Sequence, residues 1–104
     1  MKKEYYVYIL QCNDRTKYYG HTNDLRARLD DHCKGFVSYT KYRRPIELVY
    51  FEECNTRSQA FKRERQLKNG RTRKETIEKL INDFPKAKCQ GFNSPMQLMF
   101  TSVP

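Results

Sequence analysis

The chain has 104 residues, 38% hydrophobic, 13% aromatic and 32% charged, which is material for one small core and not two. Mean hydropathy is −0.98, yet eight Tyr and six Phe supply enough buriable surface to argue against disorder, and no apolar run approaches the ~20 residues of a membrane helix. Twenty-one Lys and Arg against twelve Asp and Glu leave a net charge of +9, the balance of a polyanion-binding protein.

Residues 4–12, EYYVYILQC, are apolar or aromatic on both faces and predict a strand buried on both sides. Asn13 to Thr16 is a turn by composition, and Lys17 to His21 returns as the second strand of a hairpin. Asn23 is the expected N-cap of a helix over Asp24–Lys34, stopped by Gly35. A loop rich in Tyr and basic residues, Phe36 to Arg44, leads to Pro45 and a third strand, Ile46–Glu53. Capping boxes at Thr56–Gln59 and Thr72–Glu75 start two further helices. The first ends at Gly70, and the second runs to about Asp83 with Ile77, Leu80, Ile81 and Phe84 as its apolar face. The order ββα-β-αα predicts an α+β domain over residues 4–84, a three-stranded, mainly antiparallel sheet flanked by helices. Periodicity fades after Lys86, so residues 85–104 read as a C-terminal tail, flexible or irregularly packed, and a candidate arm for a protein partner.

The basic excess runs along the folded part, +2 over residues 1–35, +4 over 36–70 and +3 over 71–104. Only six apolar residues, Tyr5 to Leu10, follow the N-terminal Met-Lys-Lys-Glu, too few for a secretory leader. The expectation is a soluble, cytoplasmic protein with no membrane contact, a monomer or weak dimer. Cys12, Cys33, Cys54 and Cys89 contain no C-x-x-C, and two isolated His complete no zinc pattern, so buried thiols are expected.

Three polar side chains interrupt apolar patterns. Arg28 and His32, one helical turn apart, sit at the edge of the stripe made by Leu25 and Leu29. Glu64 falls within the inward stripe of Ala60, Phe61, Leu67 and Lys68 and must find a cation, a metal or water. An ion pair with Arg57, Arg63 or Arg65 and a metal-ligand role are both open at this level. On the hairpin, Tyr6, Tyr8 and Leu10 share a face, as do Tyr18 and Gly20, and a strand glycine marks a close approach. Phe36, Tyr39, Lys41, Tyr42, Arg43 and Arg44 interleave aromatics with cations, the pattern that stacks bases and contacts phosphates. Lys62, Arg63, Arg65, Lys68, Arg71, Arg73 and Lys74 form a second basic run.

Val7–Leu10 (VYIL), Tyr18–Gly20 (YYG), Asn23–Arg28 (NDLRAR), His32 and Glu64, in this order and spacing, resemble the signature of the GIY-YIG nuclease superfamily. The small stand-alone bacterial members, relatives of the N-terminal domain of excision-repair protein UvrC, are most similar. The resemblance implies a metal-dependent endonuclease that hydrolyses phosphodiester bonds in nucleic acid, with DNA structures of the repair or recombination type as expected substrates. It implies one Mg²⁺ or Mn²⁺ held by Glu64, Arg28 on the scissile phosphate, Tyr18 on the attacking water, Tyr8 as its buttress and His32 as a proton relay titrating near neutrality. The expected nucleic-acid contacts are His21, Arg26, Tyr39, Lys41, Tyr42, Arg43, Arg44 and Lys68. Departures from the pattern are Tyr6 for the first glycine, Tyr19 for the second isoleucine, and His21 where many members carry Lys. Many superfamily nucleases borrow specificity from a second domain, for which this chain has no room. The alternative reading is therefore a nucleic-acid-binding module that keeps the fold with little or no hydrolysis.

Overall fold

The computed structural model describes residues 4–69 and 74–93. The strands are β1 (Tyr5–Gln11), β2 (Lys17–Thr22) and β3 (Glu47–Cys54), and the helices α1 (Leu25–Lys34), α2 (Ser38–Lys41), α3 (Arg57–Lys68), α4 (Lys74–Asp83) and α5 (Lys86–Asn93). The α+β reading holds, and the sheet is wholly antiparallel in the order β2-β1-β3.

β1 is central and buried on both sides, as its sequence predicts. Tyr8 and Leu10 face one cluster with Leu25, Leu29, Cys33, Ile46 and Leu48, under α1. Val7 and Ile9 face the other with Tyr50, Ala60, Leu67 and Ile77, under α3 and α4. Ile9 opposes Tyr50 while Leu10 opposes Leu48, so Val49 is a bulge residue on β3. The hairpin turn closes through Asp14, whose carboxylate accepts from the Thr16 backbone N–H at 3.1 Å and its hydroxyl at 2.6 Å.

The helix ends follow local chemistry with small shifts. Asp24, not Asn23, caps α1, accepting from the Ala27 N–H at 3.1 Å. Gly35 ends α1 in the left-handed region at φ 84°. Thr56 caps α3, accepting from the Gln59 N–H at 3.1 Å, and the Gln59 side chain accepts from the Asn55 N–H at 3.0 Å. The expected stop at Gly70 and the Thr72 cap lie outside the described residues.

Two segments depart from the sequence reading. The Phe36–Arg44 loop contains the short helix α2. The start of the expected tail is the helix α5, which buries Cys89 against the α1-side core. Its end is clamped from two sides. The Asn93 side chain accepts from the Leu48 N–H at 2.8 Å and donates to the Leu48 carbonyl at 3.0 Å, pairing the outer edge of β3. Arg26 donates to the Gly91 and Phe92 carbonyls and lies 4.8 Å from the Phe92 ring centre. Eight residues with faint periodicity do not make a stable helix alone, so these tertiary contacts hold it. No helix of the described residues is long and apolar enough to cross a membrane.

Candidate active site

The antiparallel register sets Gly20 directly opposite Tyr8. A Cβ at Gly20 would lie 2.5 Å from the Tyr8 hydroxyl oxygen, so only glycine lets the ring lie across β2. Tyr8 is fully buried, and its hydroxyl is 3.0 Å from His32 Nε2. On the other side of the ring, His32 Nδ1 is 2.8 Å from Thr40 Oγ1, which in turn lies 3.4 Å from the Val37 carbonyl. A carbonyl only accepts, so the donor directions follow along the chain. Thr40 donates to Val37, His32 Nδ1–H to Thr40, and the Tyr8 hydroxyl to His32 Nε2. The helix α2, absent from the sequence reading, supplies the end of this chain.

Burial dominates the titration of this group. Desolvation, with a smaller push from the Arg28 charge, lowers the His32 pKa to about 4. His32 is therefore neutral near pH 7 with both ring nitrogens engaged, which corrects the expectation that it titrates near neutrality. Desolvation also raises the Tyr8 pKa far above that of a free phenol. For Arg28, desolvation pulls the pKa down, but hydrogen bonding and charge interaction with the Tyr8 and Tyr18 hydroxyls outweigh it and the net direction is up. Arg28 is thus aimed by two tyrosines, with Asp31 only loosely paired at 3.8 Å. The Tyr18 ring packs edge-on to His32 at 4.7 Å and is 5.6 Å from the Tyr39 ring.

Glu64 approaches the edge strand β2 from α3, on the opposite face. Its Oε1 is 2.7 Å from His21 Nδ1 and its Oε2 is 3.9 Å from Lys68 Nζ, with the side chain 13% exposed. Of the two roles left open by the sequence, the ion pair is made among the described residues with His21 and Lys68 and not with an arginine of α3: Arg63 turns to Glu52, which also accepts from the Tyr50 hydroxyl at 2.5 Å. The Arg28 and Glu64 charges both reach Tyr8, Arg28 favouring its phenolate and Glu64, more weakly, opposing it.

The described residues contain no group of three or more His, Cys, Asp or Glu in metal-binding proximity. The donor set instead fits a hard divalent ion that keeps most of its waters. It offers one carboxylate, with one oxygen engaged only by a distant and 59% exposed lysine. His21 is the neighbour such an ion would have to share or displace.

The expected nucleic-acid residues divide. Lys41 and Tyr42 are exposed, the latter at 86%, and Lys68 also points outward. Tyr39 is half open, with the Arg43 guanidinium 4.4 Å from its ring centre, while Arg43 also pairs with Asp14 at 2.8 Å. Arg26 and Arg44 are committed elsewhere. Arg26 clamps α5, and Arg44 donates to the Cys33 carbonyl at 2.9 Å and the Lys41 carbonyl at 3.0 Å, closing the end of α1. Both guanidiniums thus spend donors on helix-end carbonyls, which lack partners within their own helices. His21 likewise faces Glu64 before it faces any ligand. The cysteines form no disulfide. Cys12, Cys33 and Cys89 are buried as expected, whereas Cys54 is half-buried. Sequence reasoning missed Thr40 and misplaced Phe61, an expected core residue that is 47% exposed and packs on His21 at 5.7 Å between ring centres. For Phe61 the signal was there, since it lies one turn from Glu64 on the same helix.

A glycine-gated tyrosine pair, a helix-borne arginine and histidine, and a carboxylate from a later helix around one edge of a three-stranded antiparallel sheet define a GIY-YIG-type domain. The chain belongs to that family: residues 4–78 match the GIY-YIG catalytic domain, a nuclease domain whose partner class is nucleic acid. Curated relatives carry the UPF0213 name. UPF0213 protein SERP0126 of Staphylococcus epidermidis is 47% identical over 66 residues, covering 62% of this chain and 80% of that protein. UPF0213 protein SAV0488 of Staphylococcus aureus is 45% identical over 65 residues, covering 62% of this chain and 79% of that protein. Among solved structures, the solution NMR structure of UPF0213 protein BH0048 from Bacillus halodurans is similar, with 26% identity, a TM-score of 0.48 and coverage of 96% of this chain and 98% of that one.

Proposed function

We propose that this protein is a metal-dependent endonuclease that hydrolyses phosphodiester bonds in DNA, acting on irregular structures of the repair or recombination type. The observation that carries the reading is that edge strand β2 has the Tyr8, Tyr18 and Arg28 group on one face and a half-buried Glu64 carboxylate, bonded to His21, on the other. Phosphoryl transfer requires charge neutralisation, a positioned nucleophile and a stabilised leaving oxygen.

Arg28 clamps the scissile phosphate, where its fixed fork matches two phosphate oxygens. Tyr18, the more open of the two tyrosines, hydrogen-bonds the attacking water and orients it toward phosphorus. Tyr8 stays protonated and acts as a positioning residue. Its hydroxyl donates to His32 and accepts from Arg28, so that the guanidinium holds one direction. His32 and Thr40 anchor that hydroxyl. Glu64 would hold one Mg²⁺ or Mn²⁺, and such an ion would supply charge neutralisation for phosphoryl transfer.

The test incubates labelled single-stranded, duplex and branched DNA, and RNA, with the protein in Mg²⁺, Mn²⁺ or EDTA. Cleavage should need metal and fall at least about a hundredfold in Glu64→Gln, with binding in EDTA retained. Tyr18→Phe should lose cleavage with the fold intact. Cleavage that survives Glu64→Gln overturns the role of Glu64. Binding without cleavage under every condition overturns the enzyme reading and leaves a binding module.

A further inference from the structure

The outer face of α3 carries an open depression of about 320 Å³ lined by Ser58, Phe61, Lys62, Arg65, Gln66 and Asn69. It carries one aromatic ring, Phe61, half open to solvent. The Arg65 guanidinium lies 5.6 Å from that ring's centre, Lys62 adds a second cation, and the remaining lining side chains carry hydroxyl or amide groups. The inner edge of the Phe61 ring rests on His21, which is bonded to Glu64. The depression therefore adjoins the carboxylate end of the active site.

We propose that this depression binds one unpaired nucleobase next to the cleaved phosphate, so that the preferred substrate presents a single-stranded segment. A flat ring beside a guanidinium stacks any base. Ser58 and Asn69 offer hydrogen-bond groups to a base edge, and Lys62 a charge to the adjoining phosphate. The volume of about 320 Å³ accommodates one base with room for water. Within a duplex, both faces of a base are already covered by its neighbours, so Phe61 finds a free face only where the strand is unpaired. Tyr39, against Tyr18 on the opposite face of β2, and the exposed Tyr42 supply stacking surface on the other side of the centre. An unpaired strand crossing the edge of β2 then meets an aromatic before and after the Arg28–Glu64 centre.

For cleavage this inference rests on the nuclease reading, but for binding it does not, so the decisive measurement is made in EDTA. Fluorescence anisotropy would compare a labelled unstructured 15-nucleotide single strand, as DNA and as RNA, with the corresponding duplex. The wild-type protein should bind at least one single strand several-fold more tightly than the duplex. Phe61→Ala should lose about tenfold in single-strand affinity, with duplex affinity nearly unchanged, and Phe61→Trp should keep the preference. Circular dichroism confirms that α3 persists in both variants. Equal affinity for duplex and single strand, or a loss in Phe61→Ala that falls equally on both, overturns the proposal. Absence of cleavage in a parallel Mg²⁺ assay would count against the nuclease reading and leave the binding result standing.

Discussion

The two faces of edge strand β2 handle their polar groups in opposite ways. On the α1 face, Tyr8, His32 and Thr40 are fully buried and linked donor to acceptor as far as the Val37 carbonyl. On the α3 face, Glu64 has one close partner among the described residues, His21, and a second oxygen facing a lysine at 3.9 Å. A buried hydrogen-bond chain is costly to interrupt and therefore fixes directions. A half-open carboxylate can exchange partners, which suits a position that must take up and release ligands. In the proposed nuclease, the α1 face would orient the arginine and the α3 face would hold the exchangeable carboxylate.

The largest expected effects come from separating orientation from charge. Arg28→Lys keeps the charge but loses the fork held by two tyrosine hydroxyls. It should lower the cleavage rate by about 10²–10³ while leaving thermal stability close to that of the wild type. A rate within a few-fold of wild type would show that charge alone suffices. Gly20→Ala attacks the same geometry from behind. The added Cβ meets the Tyr8 hydroxyl at 2.5 Å and Cζ at 2.6 Å, so the ring must move. The expected cost is about 1–3 kcal/mol of stability, read from the urea midpoint, together with a fall in cleavage because Arg28 loses its aim. Unchanged values in both assays would mean that Tyr8 is not the element that positions the arginine.

The buried chain also predicts a pH dependence. The His32 pKa is about 4 in the folded protein against an ordinary value of 6.5. Below pH 6.5 the unfolded chain takes up a proton that the native protein refuses, so stability is full above that value and falls as the pH drops toward 4. The loss contributed by His32 is about 2–3 kcal/mol. Urea unfolding at pH 7.5, 5.5 and 4.5 should show this slope, and His32→Gln should flatten it. An equal slope in His32→Gln would assign the effect to other groups.

The smallest effects distinguish committed cations from available ones. Lys41→Ala, on an exposed helix beside Tyr39 and Tyr42, should reduce the salt slope of nucleic-acid binding by about 1. Arg26→Ala should leave that slope unchanged and instead lower stability by about 1 kcal/mol by releasing the end of α5. The reverse pattern, with Arg26→Ala changing the slope, would return Arg26 to the binding surface.

Legibility followed the range of the interactions involved. The turn at Asp14, the caps at Asp24 and Thr56, and the stop at Gly35 depend on contacts within about four residues, and the sequence locates each to within one position. Tyr8, Tyr18, Arg28 and Glu64 stood out because they break or mark patterns along their own elements. The helix α5 was not legible, because its clamps come from Arg26 and Leu48, far away in sequence. The partners of charged groups were equally hidden. Arg57, Arg63 and Arg65 flank Glu64 along α3, yet its close partner is His21, 43 residues away.

By itself the sequence determined the three-stranded α+β order, the double-sided burial of β1, the Thr56 cap and Gly35 stop, and the candidates for a phosphodiester site. Propensity, periodicity and capping are local, so they can be read from neighbouring letters. Only the tertiary structure decided that His32 is neutral and doubly bonded, that Arg26 and Arg44 serve carbonyls, that Glu64 pairs with His21, and that Phe61 faces outward beside the active site. Burial and pairing depend on what the folded chain brings within a few ångströms, and long side chains on a highly charged protein have several partners in reach until the packing selects one.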